Sequence, residues 1–297
     1  MRTVRLTPTS RTVRRQRWAT AALALLLSGV LVGCAALDEQ QRRWIFQPTD
    51  RTWAGGLAAA EGMQDVWIEF DSQAAAQRAR LHGLWLPQPA PDAPVLLYLH
   101  GARWDVRGSA HRMRRMHELG FAVLGVDYRG FGRSSPALPS ETLALEDAHA
   151  AWRWLATQQP SARRFVFGHS LGGAIAVALA ADVVDESGLL VEGSFTSIPD
   201  VVSSFRWGWL PVGPLITQRF DAGARIAAVG SPVLVVHGSQ DSLIQPALGQ
   251  ALFDKAAEPK RFVLVQGGSH HNTNAVGQAM YREALADLFG LDTRLRP

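Results

Sequence analysis

The sequence has little cysteine, a modest share of charge and no repetition. Cys34 is the single cysteine among 297 residues, so an intrachain disulfide is excluded. No internal repeat or low-complexity segment is found, and 47% of the residues are hydrophobic while 19% are charged. This composition is that of a globular protein, and the length suits one large α/β domain.

A basic surface typical of nucleic-acid-binding proteins is also lacking. The formal net charge is +4, but six arginines lie within the first 33 residues, which contain no acidic residue. The rest of the chain carries 24 basic and 26 acidic side chains. The positive charge therefore belongs to the leader, and we expect no nucleic-acid partner.

The leader itself has the order of a secretory signal. An arginine-rich start precedes an apolar run over residues 18–32, and Leu31-Val32-Gly33 precedes Cys34. The run is shorter than the roughly 20 apolar residues of a membrane-spanning helix. The end of the leader resembles a bacterial lipobox, which implies cleavage before Cys34 and lipidation of that cysteine. We therefore predict a signal peptide over 1–33 and an envelope protein bound to the membrane through Cys34.

Two details of this leader bear on export and sorting. Ala35 follows the cysteine where an aspartate would favour retention at the inner membrane, so we expect the outer membrane, on its periplasmic side. The pair Arg14-Arg15 is an alternative twin-arginine export signal. Residues 34–65 are predicted to be a tether that leads into the fold, with 44–48 packed against the domain.

From residue 66 onward, strand-like runs alternate with helical segments. Two runs of alternating polarity are typical of antiparallel edge strands, and later continuous apolar runs are typical of strands buried on both faces. This order predicts an α/β fold with a doubly wound, mostly parallel sheet of about eight strands and ligands at their carboxyl ends. The predicted strands are 66–70, 80–86, 94–99, 121–126, 164–167, 188–191, 232–236 and 261–265, and the predicted helices are 108–119, 142–158, 171–181 and 275–289.

A G-x-S-x-G motif lies between one of these strands and an all-apolar helix. Ser170 is its serine, and Gly168 and Gly172 flank it. In a nucleophile elbow the serine occupies a strained strand-to-helix turn that exposes Oγ, and the glycines relieve crowding between strand and helix. The sequence therefore predicts Ser170 as a nucleophile.

A serine nucleophile needs a base and an acid that orients the base, here in the order Ser, Asp, His. Asp241 follows a buried strand and is the predicted acid, while Asp200 is a weaker candidate deeper in a loop. His270 and His271 follow the last strand, and either can be the base. Adjacent histidines rarely bind one ion and no carboxylate cluster surrounds them, so we expect no metal.

Two backbone amides are predicted to form an oxyanion hole. The N–H of Leu171 directly follows the nucleophile and lies at a helix N-terminus, which favours negative charge. A second N–H is expected in the loop that follows the first buried parallel strand, and Ala102 in the run His100-Gly-Ala-Arg-Trp104 is the predicted donor.

Taken together, these residues resemble the α/β-hydrolase superfamily over roughly 66–290. The joint order of the His100-Gly101 pair, the DYRGFGRS run at 127–134, the elbow and the Asp241–His270 pair carries the resemblance. The chain is most similar to membrane-associated serine hydrolases, among them protein depalmitoylases (palmitate thioesterases) and bacterial lipoproteins. A Gly-x-His-Asn-Asp-Thr-like run in that family implies that His270 is the base. Its members need no cofactor.

The resemblance places a short cap at 198–229 within a hydrolase domain of 66–297. The aromatic stretch 205–211, Arg103-Trp104 and Phe131 are predicted to form the mouth of an acyl pocket. These features indicate a serine esterase or thioesterase acting on a small-molecule or lipid-like acyl ester. A peptidase similar to prolyl-oligopeptidase catalytic domains and a non-catalytic envelope binding protein are the alternatives.

Overall fold

A computed structural model describes residues 10–205 and 208–291. Its strands are β1 (Gln64–Ser72), β2 (Gln77–Leu86), β3 (Val95–Leu99), β4 (Ala122–Val126), β5 (Arg164–His169), β6 (Gly188–Glu192), β7 (Val233–Gly238) and β8 (Lys260–Val265). They form one sheet in the order β1-β2-β4-β3-β5-β6-β7-β8. The pairs β1–β2 and β2–β4 are antiparallel, and the other neighbouring strands are parallel. The predicted α/β-hydrolase fold is confirmed.

Helices cover both faces of this sheet. They are α1 (Ser10–Phe46), α2 (Ala54–Ala60), α3 (Ala110–Glu118), α4 (Glu141–Gln158), α5 (Leu171–Asp182), α6 (Ile198–Ser204), α7 (Ala222–Arg225), α8 (Pro246–Lys255), α9 (Thr273–Val276) and α10 (Gln278–Phe289), with 3₁₀ turns at Val106–Ser109, Gly213–Leu215 and Ile226–Ala228. Every residue of β3, β4, β6 and β7 is buried, because apolar side chains on both faces of these strands have helices to pack against.

Two apolar clusters lie on opposite faces of the sheet. One contains Ile175 and Leu179 of α5 together with side chains of α4 and α8. The other contains Met113 of α3 with Tyr281 and Leu285 of α10. Since each fully buried Ile or Leu contributes about 1.5–3 kcal/mol, these helices fix the ends of the strands and so the loops that follow them.

The N-terminal helix reaches the body of the protein at its C-terminal end. Cys34 is exposed on α1, while Phe46 at the end of this helix is completely buried and packs against Phe131 and Phe220. Phe46, with the half-buried Ile45 and Pro48, thus packs against the domain as expected from the sequence, whereas Trp44 and Gln47 of the predicted 44–48 segment are exposed. Across the described ranges, no helix has a stretch long and apolar enough to cross a membrane.

The structure corrects two features of the predicted element pattern. The predicted single helix over 275–289 is wrong, because the chain breaks at Gly277 between α9 and α10. A Cβ atom at Gly277 would lie 2.7 Å from the side chain of Val265, so the break lets the backbone pass close to β8. Helix α8 was absent from the prediction and begins with Pro246, whose fixed φ suits the first helical turn.

The region 198–229 contains α6, α7 and two short 3₁₀ turns joined by loops. Within the aromatic stretch 205–211, Phe205 is 52% exposed and Trp209 is 73% exposed. Arg206 and Trp207 lie outside the described residues. The exposed aromatic rings therefore remain available at the surface of this region.

Candidate active site

Ser170 lies between β5 and α5 with φ 57° and ψ −124°, in a region that residues with a side chain rarely adopt. Its backbone N–H donates to Glu192 O at 2.9 Å, and its carbonyl accepts from Gly173 N at 2.9 Å. Cβ atoms at Gly168 and Gly172 would each lie 2.1 Å from a backbone oxygen. The two glycines are therefore required by the close approach of strand, turn and helix.

The structure joins three of the predicted side chains in one hydrogen-bonded chain. His270 Nε2 lies 3.0 Å from Ser170 Oγ, and His270 Nδ1 lies 2.7 Å from Asp241 Oδ2. The ring of His271 is exposed, and in the described part of the chain its imidazole makes no hydrogen bond. Asp200 instead accepts from hydroxyl groups at the start of α6. Geometry therefore selects His270 and Asp241 among the alternatives.

The environment of Asp241 suits an ionised carboxylate. Its Oδ1 accepts from the backbone N–H groups of Leu243 and Ile244 at 3.0 and 2.9 Å. Burial raises the pKa of this carboxyl, but hydrogen bonding to His237 and His270 and the backbone donors outweigh burial and hold the pKa well below its ordinary value. An ionised Asp241 can orient the His270 ring and stabilise its protonated form.

The two predicted oxyanion donors lie on either side of Ser170. Leu171 is the first residue of α5, and Ala102 lies in the loop that follows β3. Among the described residues, neither backbone N–H donates to another backbone group. A Cβ atom at Gly101 would lie 3.1 Å from Ser170 Cβ, which shows how closely this loop approaches the serine. Both amides are therefore free to donate to an oxygen bound beside Ser170.

A buried ionic network lies beneath these groups. Arg112 of α3 donates from Nε to Glu192 Oε1 at 2.6 Å, and from Nη2 to the carbonyls of His270 and His271 at 3.1 and 3.2 Å. The other oxygen of Glu192 accepts from Tyr281 OH at 2.5 Å. Since Glu192 O also holds the Ser170 amide, one residue connects the elbow to the loop that carries His270.

Sequence reasoning missed this network because its members lie far apart in the chain. Arg112 and Glu192 are separated by 80 residues, and neither belongs to a motif with fixed spacing. The available signal was Glu192 itself, a charged residue at the end of an apolar strand, where the side chain is completely buried. A buried carboxylate requires a partner, so a cation had to be present nearby.

His169 fills the space between the two loops. Its Nε2 lies 2.9 Å from His270 O, and its ring lies 4.8 Å from the His270 ring. Burial, with Arg112 nearby, lowers the pKa of His169 well below its ordinary value, so the ring is neutral. It therefore packs beneath the elbow.

The predicted mouth of the pocket is only partly matched. Arg103 and Trp104 are exposed in the loop that follows β3. The prediction for Phe131 is wrong: its ring is 1% exposed and packs against His100 and Phe46. The glycines around Phe131 turn the loop after β4 so that the ring points into the core instead of outward.

A cleft of about 910 Å³ lies elsewhere, between α4, α5 and α7. Its lining mixes apolar and charged side chains, including Ile175, Phe220, Glu146 and Arg225, and contains no member of the Ser–His–Asp chain. Ser170 is nevertheless the candidate for chemistry, because a nucleophile, its base and the orienting acid must lie within hydrogen-bonding distance. Within the described residues, no cluster of three or more His, Cys, Asp or Glu side chains could hold a metal ion.

Comparison with known proteins gives a consistent result. A family described as serine aminopeptidase, S33, matches residues 90–221. An uncharacterized protein of Mycobacterium tuberculosis is 33% identical over 268 residues, covering 89% of this chain and 92% of its own length. A lysophosphatidylserine lipase, ABHD12 of Danio rerio, is 30% identical over 208 residues, covering 60% of this chain and 54% of its own.

Solved structures agree in fold. The Pyrococcus furiosus esterase Pf2001 superimposes with a TM-score of 0.62 at 18% identity, covering 82% of this chain and 97% of the esterase. An acylaminoacyl peptidase of Pyrococcus horikoshii superimposes with a TM-score of 0.60 at 14% identity, covering 80% of this chain and 44% of the peptidase. At these identities the likeness concerns the fold alone.

Proposed function

The chain belongs to the α/β-hydrolase superfamily, and we propose that it is a serine hydrolase that cleaves carboxylic esters or thioesters through an acyl-enzyme. The observation that supports this proposal is the hydrogen-bonded chain Ser170–His270–Asp241 at a strained elbow. Buried histidines and carboxylates are common in folded proteins. A serine held at positive φ, with its Oγ hydrogen-bonded to an imidazole, is not needed for folding.

In the proposed reaction, Ser170 Oγ attacks the carbonyl carbon of the substrate while His270 Nε2 takes the hydroxyl proton. The carbonyl oxygen becomes an oxyanion that accepts from the N–H groups of Ala102 and Leu171. Collapse of this intermediate breaks the acyl bond, and His270 returns its proton to the leaving alcohol or thiol. A water molecule then attacks the acyl-serine by the same steps, releasing the carboxylic acid and restoring Ser170.

The choice of acyl substrates is supported by exposed aromatic side chains on the loops that follow β3 and β6. Trp104 and Trp209 are exposed at 41% and 73% on loops at the carboxyl side of the sheet, and apolar side chains of this kind bind acyl chains. Each buried CH₂ contributes about 0.8 kcal/mol, so a few added methylenes should raise kcat/KM about tenfold until the site is full. The relative described as a lysophosphatidylserine lipase is compatible with this class.

We also propose that the protein is attached to the bacterial envelope through a lipid on Cys34. This cysteine is exposed on α1, twelve residues before the buried Phe46. Intact-mass analysis of membrane-extracted protein should show a chain that starts at Cys34 and carries lipid, whereas Cys34→Ser should accumulate as unprocessed precursor. Soluble wild-type protein that starts at another residue would contradict the anchor but leave the hydrolase proposal untouched.

The hydrolase proposal is tested by labelling with a fluorophosphonate probe. Wild-type protein should be labelled on Ser170, and Ser170→Ala should fold without being labelled. His270→Ala should lower kcat by several orders of magnitude, while His271→Ala, one residue away and exposed, is the matched control and should have a small effect. Labelling of Ser170→Ala at the wild-type level would refute the assignment.

A panel of p-nitrophenyl esters and thioesters of increasing acyl length, run beside aminoacyl amides, tests the substrate class. Esters and thioesters should be hydrolysed faster than matched amides, with a preference for short to medium chains. Faster turnover of the amides would favour a peptidase, the activity named by the matching family.

A further inference from the structure

The segment between Cys34 and the sheet contacts the body of the protein at several places. Gln41 donates to Leu215 O at 2.7 Å and accepts from Thr217 N at 2.9 Å. Asp38 accepts from the Thr217 hydroxyl at 2.7 Å, and Arg42 donates to Pro139 O at 2.9 Å. The last turns of α1 are therefore fixed to the loops around α4 and α7, which a passive tether would not require.

The same segment contacts the oxyanion loop, defined here as residues 100–105. Arg103 N donates to Phe46 O at 2.8 Å, and Arg103 Nε donates to Gln47 Oε1 at 3.1 Å. Further along, the Thr52 hydroxyl is bonded to Asp105, at the other end of the loop. The loop that carries the Ala102 amide is thus held from outside by residues that precede the sheet.

Both residues in this contact have unusual backbone angles. Gln47 ends α1 with φ 47°, and Arg103 lies in the oxyanion loop with φ 86°. Glycine ordinarily occupies such positions, because a Cβ atom makes the left-handed region unfavourable. Strain of this kind persists only when the surrounding structure determines it, and it is concentrated at functional sites. Here one side-chain hydrogen bond joins the two strained residues, and the Arg103 amide bonds to the carbonyl of Phe46, the residue before Gln47.

The contact bears directly on the direction of an oxyanion donor. Ala102 and Arg103 supply successive backbone N–H groups, so fixing the Arg103 amide on Phe46 O limits how the preceding peptide plane can rotate. The Phe46 carbonyl belongs to the peptide bond that joins Phe46 to Gln47, and the buried Phe46 ring holds it in place.

We propose that Phe46 and Gln47 are positioning residues for the oxyanion hole. The C-terminal end of α1, the helix that carries Cys34, is then part of the active site. The inference rests on the proposed serine-hydrolase function. It makes activity depend on how α1 packs against the body of the protein.

Gln47→Gly provides the sharpest test in the full-length protein. Glycine adopts a positive φ without strain, so a purely structural role predicts unchanged activity and equal or higher thermal stability. Positioning predicts that kcat falls about tenfold, because the Phe46 carbonyl and Arg103 lose their fixed geometry, while KM changes little. Gln47→Glu keeps an acceptor for Arg103 and should restore most of kcat. Trp44→Ala, an exposed residue of the same helix, is the control.

The affinity for a trifluoromethyl ketone reports on the oxyanion hole independently of protein stability. The ketone forms an adduct with the serine, and the adduct places an oxyanion in the hole. Its affinity should fall with kcat in Gln47→Gly and recover in Gln47→Glu. The inference would be overturned if Gln47→Gly had the kcat and the ketone affinity of the wild-type protein. It would also be overturned if Trp44→Ala lost as much activity as Gln47→Gly. Failure of the wild-type protein to react with the ketone would instead refute the serine-hydrolase function itself.

Discussion

Arg112 and Arg129 are two arginines paired with carboxylates in the interior, and they differ in where their other hydrogen bonds end. Arg129 donates to Asp147 at 2.7 Å, to Glu146 at 2.6 Å and to the Ser72 hydroxyl at 2.7 Å. A longer bond runs from Nη2 to Leu143 O at 3.4 Å, so this guanidinium joins β1, the loop after β4 and α4. Arg112 has one carboxylate partner, and its Nη2 contacts His169 Nε2 at 3.1 Å and the main-chain carbonyls of His270 and His271 at 3.1 and 3.2 Å.

The difference separates two uses of a buried arginine. A guanidinium whose donors end on carboxylates connects elements of the fold, and losing it leaves unpaired charge. A guanidinium whose donors end on the carbonyls of the loop that carries His270 also sets where that imidazole lies. We therefore expect Arg129 to affect stability alone and Arg112 to affect both stability and turnover.

Arg129→Met should have the largest effect on folding. Removal of the cation leaves the Asp147 and Glu146 carboxylates without a charged partner, so the free energy of unfolding should drop by about 3–5 kcal/mol. Urea unfolding measures this loss, and fluorophosphonate titration gives the concentration of active sites. Turnover per labelled site should equal the wild-type value. A lower turnover per site at unchanged stability would mean that Arg129, like Arg112, affects turnover as well as stability.

Arg112→Met should lower kcat about 30- to 100-fold, roughly 2–3 kcal/mol, because the His270 loop loses its support. Part of any stability loss reflects the stranded Glu192 carboxylate. The double variant Arg112→Met/Glu192→Gln removes that charge and should recover stability without recovering kcat. Joint recovery of both would mean that Arg112 acts through stability alone.

Tyr281→Phe tests how far the positioning network extends. Burial and the adjacent Glu192 raise the pKa of the Tyr281 phenol, so it stays protonated and donates to that carboxylate. Losing this bond should destabilise the protein by about 1–2 kcal/mol and lower kcat only about threefold, because Arg112 still holds the loop. A loss of kcat as large as that of Arg112→Met would shift the main support from the arginine to the phenol.

Acid titration of Glu146 gives the smallest expected effect. Burial raises the pKa of this carboxyl, but donors from Ser72, Arg129 and two backbone amides lower it from 4.5 to about 2. The resulting stabilisation is complete above pH 4.5 and is lost as the pH falls toward 2. Glu146→Gln should therefore flatten the fall of unfolding free energy in this window. An unchanged slope would show that folding does not lower the pKa of Glu146.

The sheet and the Ser–His–Asp residues could be predicted because their signals are local. Continuous apolar runs mark β3 to β8, and Asp241 and His270 directly follow strands whose ends meet at one edge. The break at Gly277 escaped prediction because it depends on contact with Val265 of β8. Sequence alone left two candidate histidines, and only three-dimensional geometry distinguished them.

The supporting residues could not be predicted for a related reason. Arg112 pairs with Glu192 across 80 residues and Arg103 bonds Gln47 across 56, and such pairs leave no periodicity or spacing to detect. Phe131 was misplaced because its position beside a motif indicated proximity to the site but not the direction of its ring.

The backbone angle of Ser170 has a consequence for the history of the protein. A residue with a side chain held at φ 57° costs about 1–3 kcal/mol, a large part of the 5–15 kcal/mol that keeps a typical domain folded. Glycine at this position would be the better choice for stability and the worse one for chemistry. Selection for stability and selection for a reactive hydroxyl therefore act in opposite directions at position 170. A lineage in which the activity is no longer selected would be expected to acquire glycine there.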